Sequence, residues 1–219
     1  AATDQATDSP TNNFSTYNPL YRTLATLAEG NCSGTSTAGA YIAGISSIGM
    51  TTGKWYAEFK LSTATANEGN IGIVGDPENY DLTAQTESAT GYFGIRTNLR
   101  MWENTTETDN AHGDFDDGDI MGLAIDVDAK KCAISNNGGW WSSTTEWAGS
   151  SPDWTTYHLD LSSGSGGFST FHFYMGESGS SATSTWLANF GNPPYANSSS
   201  VADGNGYGAF EYAPPSGYL

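Results

Sequence analysis

Four carboxylates crowd one short stretch of this chain. Asp114, Asp116, Asp117 and Asp119, in GDFDDGD, offer hard oxygen ligands within six residues, the donor type that a calcium ion takes. The spacing is not that of an EF-hand, which places a Glu at its twelfth position. A solvated acidic turn ahead of a strand is the other reading of the same residues. Ring side chains form a second candidate surface. Trp141, Trp147 and Trp154 stand in or beside Ser- and Thr-rich stretches, and Tyr80 lies in DPENYD. An amphipathic ring can stack on the CH face of a sugar while Asn, Asp and Ser supply hydrogen bonds. Equally, Trp147 and Trp154 can pin a long loop to the fold, and Trp140 and Trp102 read as packed residues.

Catalytic constellations are harder to find. Sandwich glycosidases need two carboxylates flanking the scissile bond. Asp126 and Asp128 share a strand face, but they fall where the chain turns. Glu58 has no acidic residue two or four positions away. His112, His158 and His172 are dispersed, and no Gly-x-Ser-x-Gly elbow occurs. The expectation is a protein that is not an enzyme and that needs no cofactor, calcium apart.

Charge narrows the partners. Seven Lys plus Arg against 24 Asp plus Glu leave a formal charge of -17, which repels phosphate backbones and anionic membranes. Nucleic acid is therefore not an expected partner. No apolar run reaches the ~18 residues that a membrane crossing needs, so no membrane insertion is expected. Cys32 and Cys132 lie a hundred positions apart and are expected as buried free thiols, with a disulfide conceivable outside the cell. The opening AATD is neither basic nor apolar, and the chain is expected to be a processed product or part of a longer polypeptide.

The elements that must position these residues are strands. Aromatics at 13% and 27 glycines among Ser, Thr and Asn suit short strands joined by turns. In residues 53–61, GKWYAEFKL, Trp55, Ala57, Phe59 and Leu61 share one face and Tyr56, Glu58 and Lys60 the other, a period of two. Ile71 and Ile73 face one way in NIGIV. Residues 91–96 and 99–102 can pair around Asn98. In 113–128, Met121, Leu123, Ile125 and Val127 make one apolar face and Ile120, Gly122 and Ala124 the other, as in a central strand. KKCAISNN returns antiparallel after a tight turn at 128–130. Residues 142–168 read as a long loop. FSTFHFYMG and STWLANFG complete the strands, and no long helix is expected. Residues 1–20 read as a polar arm or linker and 21–219 as one domain.

This order of motifs resembles the SPRY family, a branch of the concanavalin A-like sandwiches. GKWYAEF (53–59) is similar to the family's early "GKWYFEV" strand. GDIMGLAIDVDAKKCAISNNGGW (118–140) resembles "GDVIGVALDLDAGKLWFSKNGVW", with Lys130 in place of the usual turn Gly. NFGNPPY and YAPPSGY resemble the closing "NFGQRPF…Y.PPEGF". The resemblance implies an all-β, antiparallel two-sheet β-sandwich that binds through loops at one end. A second likeness is narrower. TDSPTNNFSTYNPL (7–20) is similar to "NDTPTNNFATLNPL", a segment that precedes SPRY-like domains in virion and tail proteins of bacteriophages. It implies a module on a virion surface, outside the cell, contacting host-surface glycan or protein. The alternative is a decoration, fibre or filament subunit whose partners are other virion proteins or identical subunits.

Overall fold

The computed structural model describes residues 13–23, 26–36, 42–65, 68–79, 90–108, 115–143, 147–162, 167–177, 179 and 182–219. Among the described residues fifteen strands run in chain order: β1 Tyr17–Thr23, β2 Thr26–Ala28, β3 Ser33–Thr35, β4 Ile42–Ser46, β5 Lys54–Ala64, β6 Gly69–Gly75, β7 Tyr92–Arg96, β8 Met101–Glu103, β9 Thr106–Thr108, β10 Ile120–Asp126, β11 Lys131–Asn136, β12 Gly139–Trp140, β13 Leu159–Asp160, β14 Phe171–Glu177 and β15 Ser184–Asn189. They form two antiparallel sheets. The first has the order β1-β4-β14-β6-β7-β8-β9, the second β12-β11-β10-β5-β15-β3-β2, with β13 paired to β11. The only helical element among the described residues is a 3-10 turn at Pro77–Asn79.

Alternation decides which side chains meet between the sheets. Ala57, Phe59 and Leu61 of β5, Ile71 and Ile73 of β6, Met121, Leu123 and Ile125 of β10, and Phe171, Phe173 and Met175 of β14 join one buried cluster. Its rings meet edge-on or tilted, Phe59 with Phe190 at 5.9 Å and with Phe173 at 6.0 Å, the geometry that ring quadrupoles favour. β10 lies between β11 and β5, the central place that its two apolar faces require. The turn after β10 puts Lys130 at φ 56, a left-handed conformation that costs a non-Gly residue roughly 1–2 kcal/mol. Its ammonium offsets that cost by donating to the Phe168 carbonyl at 2.8 Å and lying 4.5 Å from the Phe171 ring centroid.

The outer faces are covered too. Ile45, Val74, Tyr92, Trp102 and Tyr174 pack together on the first sheet. On the second, Tyr56, Ala124, Ala133 and Trp140 meet Phe210 and Tyr218 of the C-terminal segment. Three local findings refine the sequence-based reading. The segment 142–168 contributes β13, which pairs Cys132 with Leu159. β1 begins at Tyr17, a fully buried core residue, so the last residues of the polar 1–20 segment are built into the first sheet. Both cysteines are free and buried.

Candidate functional site

The C-terminal segment is fastened to the second sheet by one buried carboxylate. Glu58 stands on the face of β5 that periodicity turns away from the main core, yet it has no exposed surface. Its Oε1 accepts from the Tyr212 N–H at 2.7 Å and the Tyr56 hydroxyl at 3.3 Å. Its Oε2 accepts from Asn189 Nδ2 at 3.0 Å, the Glu211 N–H at 3.0 Å and the Tyr195 hydroxyl at 3.2 Å. Burial pushes this carboxyl above its ordinary range, and the surrounding donors, led by the two backbone N–H groups, pull it back. A buried carboxylate is tolerated where donors saturate its oxygens, and here the donors come largely from the tail that it holds down.

That tail completes an apolar cavity of about 140 Å³. Met50, Trp55, Phe173 and Phe190 contribute from the sandwich, and Phe14 from the segment ahead of β1. Tyr207, Phe210 and Leu219 contribute from the tail. The loop carrying Tyr207 is closed on Asp203, whose Oδ1 accepts from the N–H groups of Asn205 at 2.8 Å and Tyr207 at 2.9 Å. Val201 and Phe210 exchange backbone hydrogen bonds of 2.8 Å. The tail ends in register with β5: Tyr56 N–H donates to the Leu219 carbonyl at 2.6 Å and Leu219 N–H to the Lys54 carbonyl at 3.1 Å. Phe14 lies over Gly191, where φ is +116 and a Cβ would come within 2.3 Å of the ring. Only glycine suits that backbone and that close approach.

Four large apolar side chains are exposed among the described residues: Leu20, Ile48, Tyr207 and Leu219. Three of them, Ile48, Tyr207 and Leu219, rim this one cavity. Scattered exposed apolar residues need no explanation, but a cluster around a concavity is the mark of a binding site. The polar lining is Asn13, Ser15 and Asp203, with no cation.

The residues singled out in the sequence lie elsewhere. Trp141 is buried, packs on Tyr157 at 5.4 Å and donates from Nε1 to the Ser143 carbonyl at 2.8 Å. It is a core residue, not a presented ring, because its apolar face belongs to the cluster between the sheets. Trp147 is half-buried against Phe115 at 6.0 Å, and Trp154 stacks on Tyr218 at 5.9 Å with 6° between the planes. Both pin loop to sandwich, the second of the two roles open to them. Tyr80 and Asp114 lie outside the described residues. Asp117 Oδ1 accepts from the Ala64 N–H at 2.9 Å. Asp119 accepts from the Asp116 N–H at 3.0 Å and from Asn137 Nδ2 at 2.7 Å. Asp116, Asp117 and Asp119 therefore close turns, and among the described residues no three His, Cys, Asp or Glu groups converge as metal ligands must. Asp126 and Asp128 act as turn residues, accepting from the Ala129 and Gly53 N–H groups at 2.9 and 3.1 Å.

No family model matches this chain, and no curated protein matches it in sequence. Solved structures do match. The SPRY domain of human HERC1 is similar at 15% identity and a TM-score of 0.59, over 78% of this chain and 96% of that one. Another human SPRY domain is similar at 12% identity and 0.52, over 76% and 96%. The fold is a SPRY-type, concanavalin-like sandwich.

Proposed function

We propose that this chain is a non-catalytic protein-binding module, and that it takes an apolar side chain of a cationic partner segment into the cavity rimmed by Ile48, Tyr207 and Leu219. The observation that carries the reading is the gathering of three of the four exposed large apolar side chains around one concavity. Charge supplies the partner's chemistry: a surface of net charge -17 with no cation in the cavity lining attracts Lys- and Arg-flanked anchors. A protein ligand is favoured over a glycan, since Trp147 and Trp154 already spend their rings on Phe115 and Tyr218. The likeness of residues 7–20 to phage virion segments supports a place on a virion surface, where the partner is a host-surface protein.

One feature favours the rival, a neighbouring subunit as partner. β1 is an edge strand, and its pairing skips from Tyr17↔Ser46 to Arg22↔Gly44. Leu20, 93% exposed, stands on that bulge, its N–H held by Asn18 Oδ1 at 2.9 Å. A braced, protruding leucine beside a free edge suits assembly.

Screening an array of basic peptides bearing one Phe, Leu or Trp tests the main reading. The expected result is binding that Ile48→Asp or Tyr207→Ser weakens at least tenfold and that rising salt weakens further, with folding intact. Binding indifferent to both substitutions sinks it. Self-association abolished by Leu20→Asp in sedimentation moves the assignment to the rival. Recovery of the chain in purified virions, or its absence from them, decides the placement.

A further inference from the structure

One wall of the cavity comes from the segment ahead of β1, and that wall is fixed from two sides. Its backbone is laced to the loop after β4. Ser47 N–H donates to the Thr16 carbonyl at 2.7 Å, and Thr16 N–H donates to Ser47 Oγ at 3.1 Å. Ile48 N–H donates to Ser15 Oγ at 3.3 Å. Tyr17, next in the chain, is fully buried and meets Phe190 edge-on at 6.0 Å. Behind the Phe14 ring stands Gly191, where a Cβ would come 2.3 Å from Cε1 and 2.4 Å from Cδ1. The ring fills the space that any other residue at 191 would need for its own side chain. Gly191 is itself held, its N–H by Asn189 Oδ1 at 2.9 Å and its carbonyl by the Ala209 N–H at 2.9 Å. An incoming group therefore cannot push Phe14 back.

The space that Phe14 bounds is small. At about 140 Å³ it compares with the cavity of about 150 Å³ that holds benzene in another protein. A leucine side chain or a phenyl ring matches that volume, and the fused rings of an indole exceed it. Overfilling a space with unyielding walls is costly. Met50, Phe173 and Phe190 also line the cavity, but they belong to the core between the sheets. Phe14 is half-buried and stands outside that core cluster, so it can change in size while the sandwich keeps its packing.

We propose that Phe14 sets the size limit of this site: the cavity admits a leucine or phenylalanine anchor of the cationic partner segment and turns tryptophan away. The inference rests on the protein-binding reading above and names the anchor that this reading leaves open.

The test uses three basic peptides that differ only at the anchor, Leu, Phe or Trp. Each is titrated by calorimetry into the 219-residue chain, wild type beside Phe14→Ala, Phe14→Leu and Ile48→Asp. The wild type should bind the Leu and Phe peptides at least about tenfold more tightly than the Trp peptide, as one methylene too many gives in an apolar pocket. Phe14→Ala should close that gap by tightening the Trp peptide, and Phe14→Leu should close part of it. Should Phe14→Ala not fold, Phe14→Leu, which keeps a branched apolar side chain, carries the comparison. A wild type that binds all three alike overturns the size limit. So does a ranking that Phe14→Ala leaves unchanged, or an equal weakening of all three peptides, the mark of a general contact. Ile48→Asp separates the two levels of failure. Binding that Ile48→Asp weakens, with a ranking indifferent to Phe14, overturns this inference alone, whereas binding by no peptide overturns the reading beneath it as well.

Discussion

Glu58 and Glu177 are both fully buried glutamates on strands, and they are held in opposite ways. Glu58 receives five donors, among them two backbone N–H groups that cannot move away without the chain. Glu177 receives only side-chain hydroxyls among the described residues, Ser36 on Oε2 at 3.3 Å with the Ser184 hydroxyl also acting on it. Desolvation raises both carboxyls, yet only Glu177 is carried to about 7. The number and rigidity of donors, rather than depth, separate an anchoring anion from a neutral acid. The first suits a permanent fastening of the tail that builds the cavity. The second suits a contact that responds to pH.

The most severe way to break this comparison is Glu58→Ala. It leaves five donors without their acceptor in a dry setting, and a buried donor left unmade costs about 1–3 kcal/mol. Some will find water, so the expected loss is on the order of 3–5 kcal/mol in urea denaturation. The tail should become protease-sensitive, and peptide binding should go with it, since Tyr207 and Phe210 belong to that tail. A loss below ~1 kcal/mol would remove Glu58 from the role of anchor.

Glu177→Gln should act in the other direction and only at high pH, because between pH 4.5 and about 7 the folded chain holds a proton that the unfolded chain has released. At pH 5 it should be near neutral. At pH 8 it should stabilise by roughly 1–3 kcal/mol, since each unit by which burial raises a carboxyl is worth about 1.4 kcal/mol and screening trims the sum. Glu58→Gln is the control. A neutral amide presents donors to donors there, so it should destabilise at both pH values.

How much of this was legible in the sequence depends on range. Period-two alternation placed Ala57, Phe59, Leu61, Met121, Leu123 and Ile125 in the core, because a strand's two faces follow from the backbone alone. The order of motifs carried the architecture. The same alternation left the covering of the outer face of β5 unread. Whether Glu58 meets water depends on residues 195–212, over a hundred positions away, and no local pattern records that. The cavity was missed for the same reason, since it joins the segment before β1 to the last residues of the chain. Trp141 misled because a ring beside a Ser-rich stretch resembles a presented one, and only the partner ring Tyr157 shows that it is packed. The acidic run left two readings open because turn closure and metal binding use the same carboxylates.

Asn189→Ala sharpens the comparison from within. It removes one side-chain donor to Glu58 Oε2 and another to the Ala209 carbonyl, at 3.0 and 2.9 Å. The backbone donors of the tail remain. The expected loss is about 1–3 kcal/mol, and the Glu58 carboxyl should titrate higher than in the wild type. Glu58 thus shifts toward the state of Glu177 as its donors are withdrawn, which a carbon NMR titration of both carboxyls reads directly. No movement of Glu58 would mean that donor count is not what separates the two.

The smallest effect is expected from Ser36→Ala. It deletes a hydroxyl that touches Glu177 Oε2 and both polar backbone groups of Ser184. At pH 8, where Glu177 is ionised, the variant strips the carboxylate of one of its hydroxyl donors, and about 1–2 kcal/mol should be lost. At pH 5 the neutral acid loses its acceptor and the Ser184 N–H loses its own, at a smaller cost. The loss should therefore be larger at pH 8 than at pH 5, since a midpoint that moves in the folded chain makes the stability change depend on pH. A titration reads the same shift. With the hydroxyl gone nothing on Ser36 favours either protonation state, and desolvation acts on Glu177 with less opposition, so its midpoint should rise above about 7. A midpoint that falls instead would show that Ser36 serves Glu177 as an acceptor from the neutral acid more than as a donor to the anion. That result would overturn the ordering of the two glutamates by donor count.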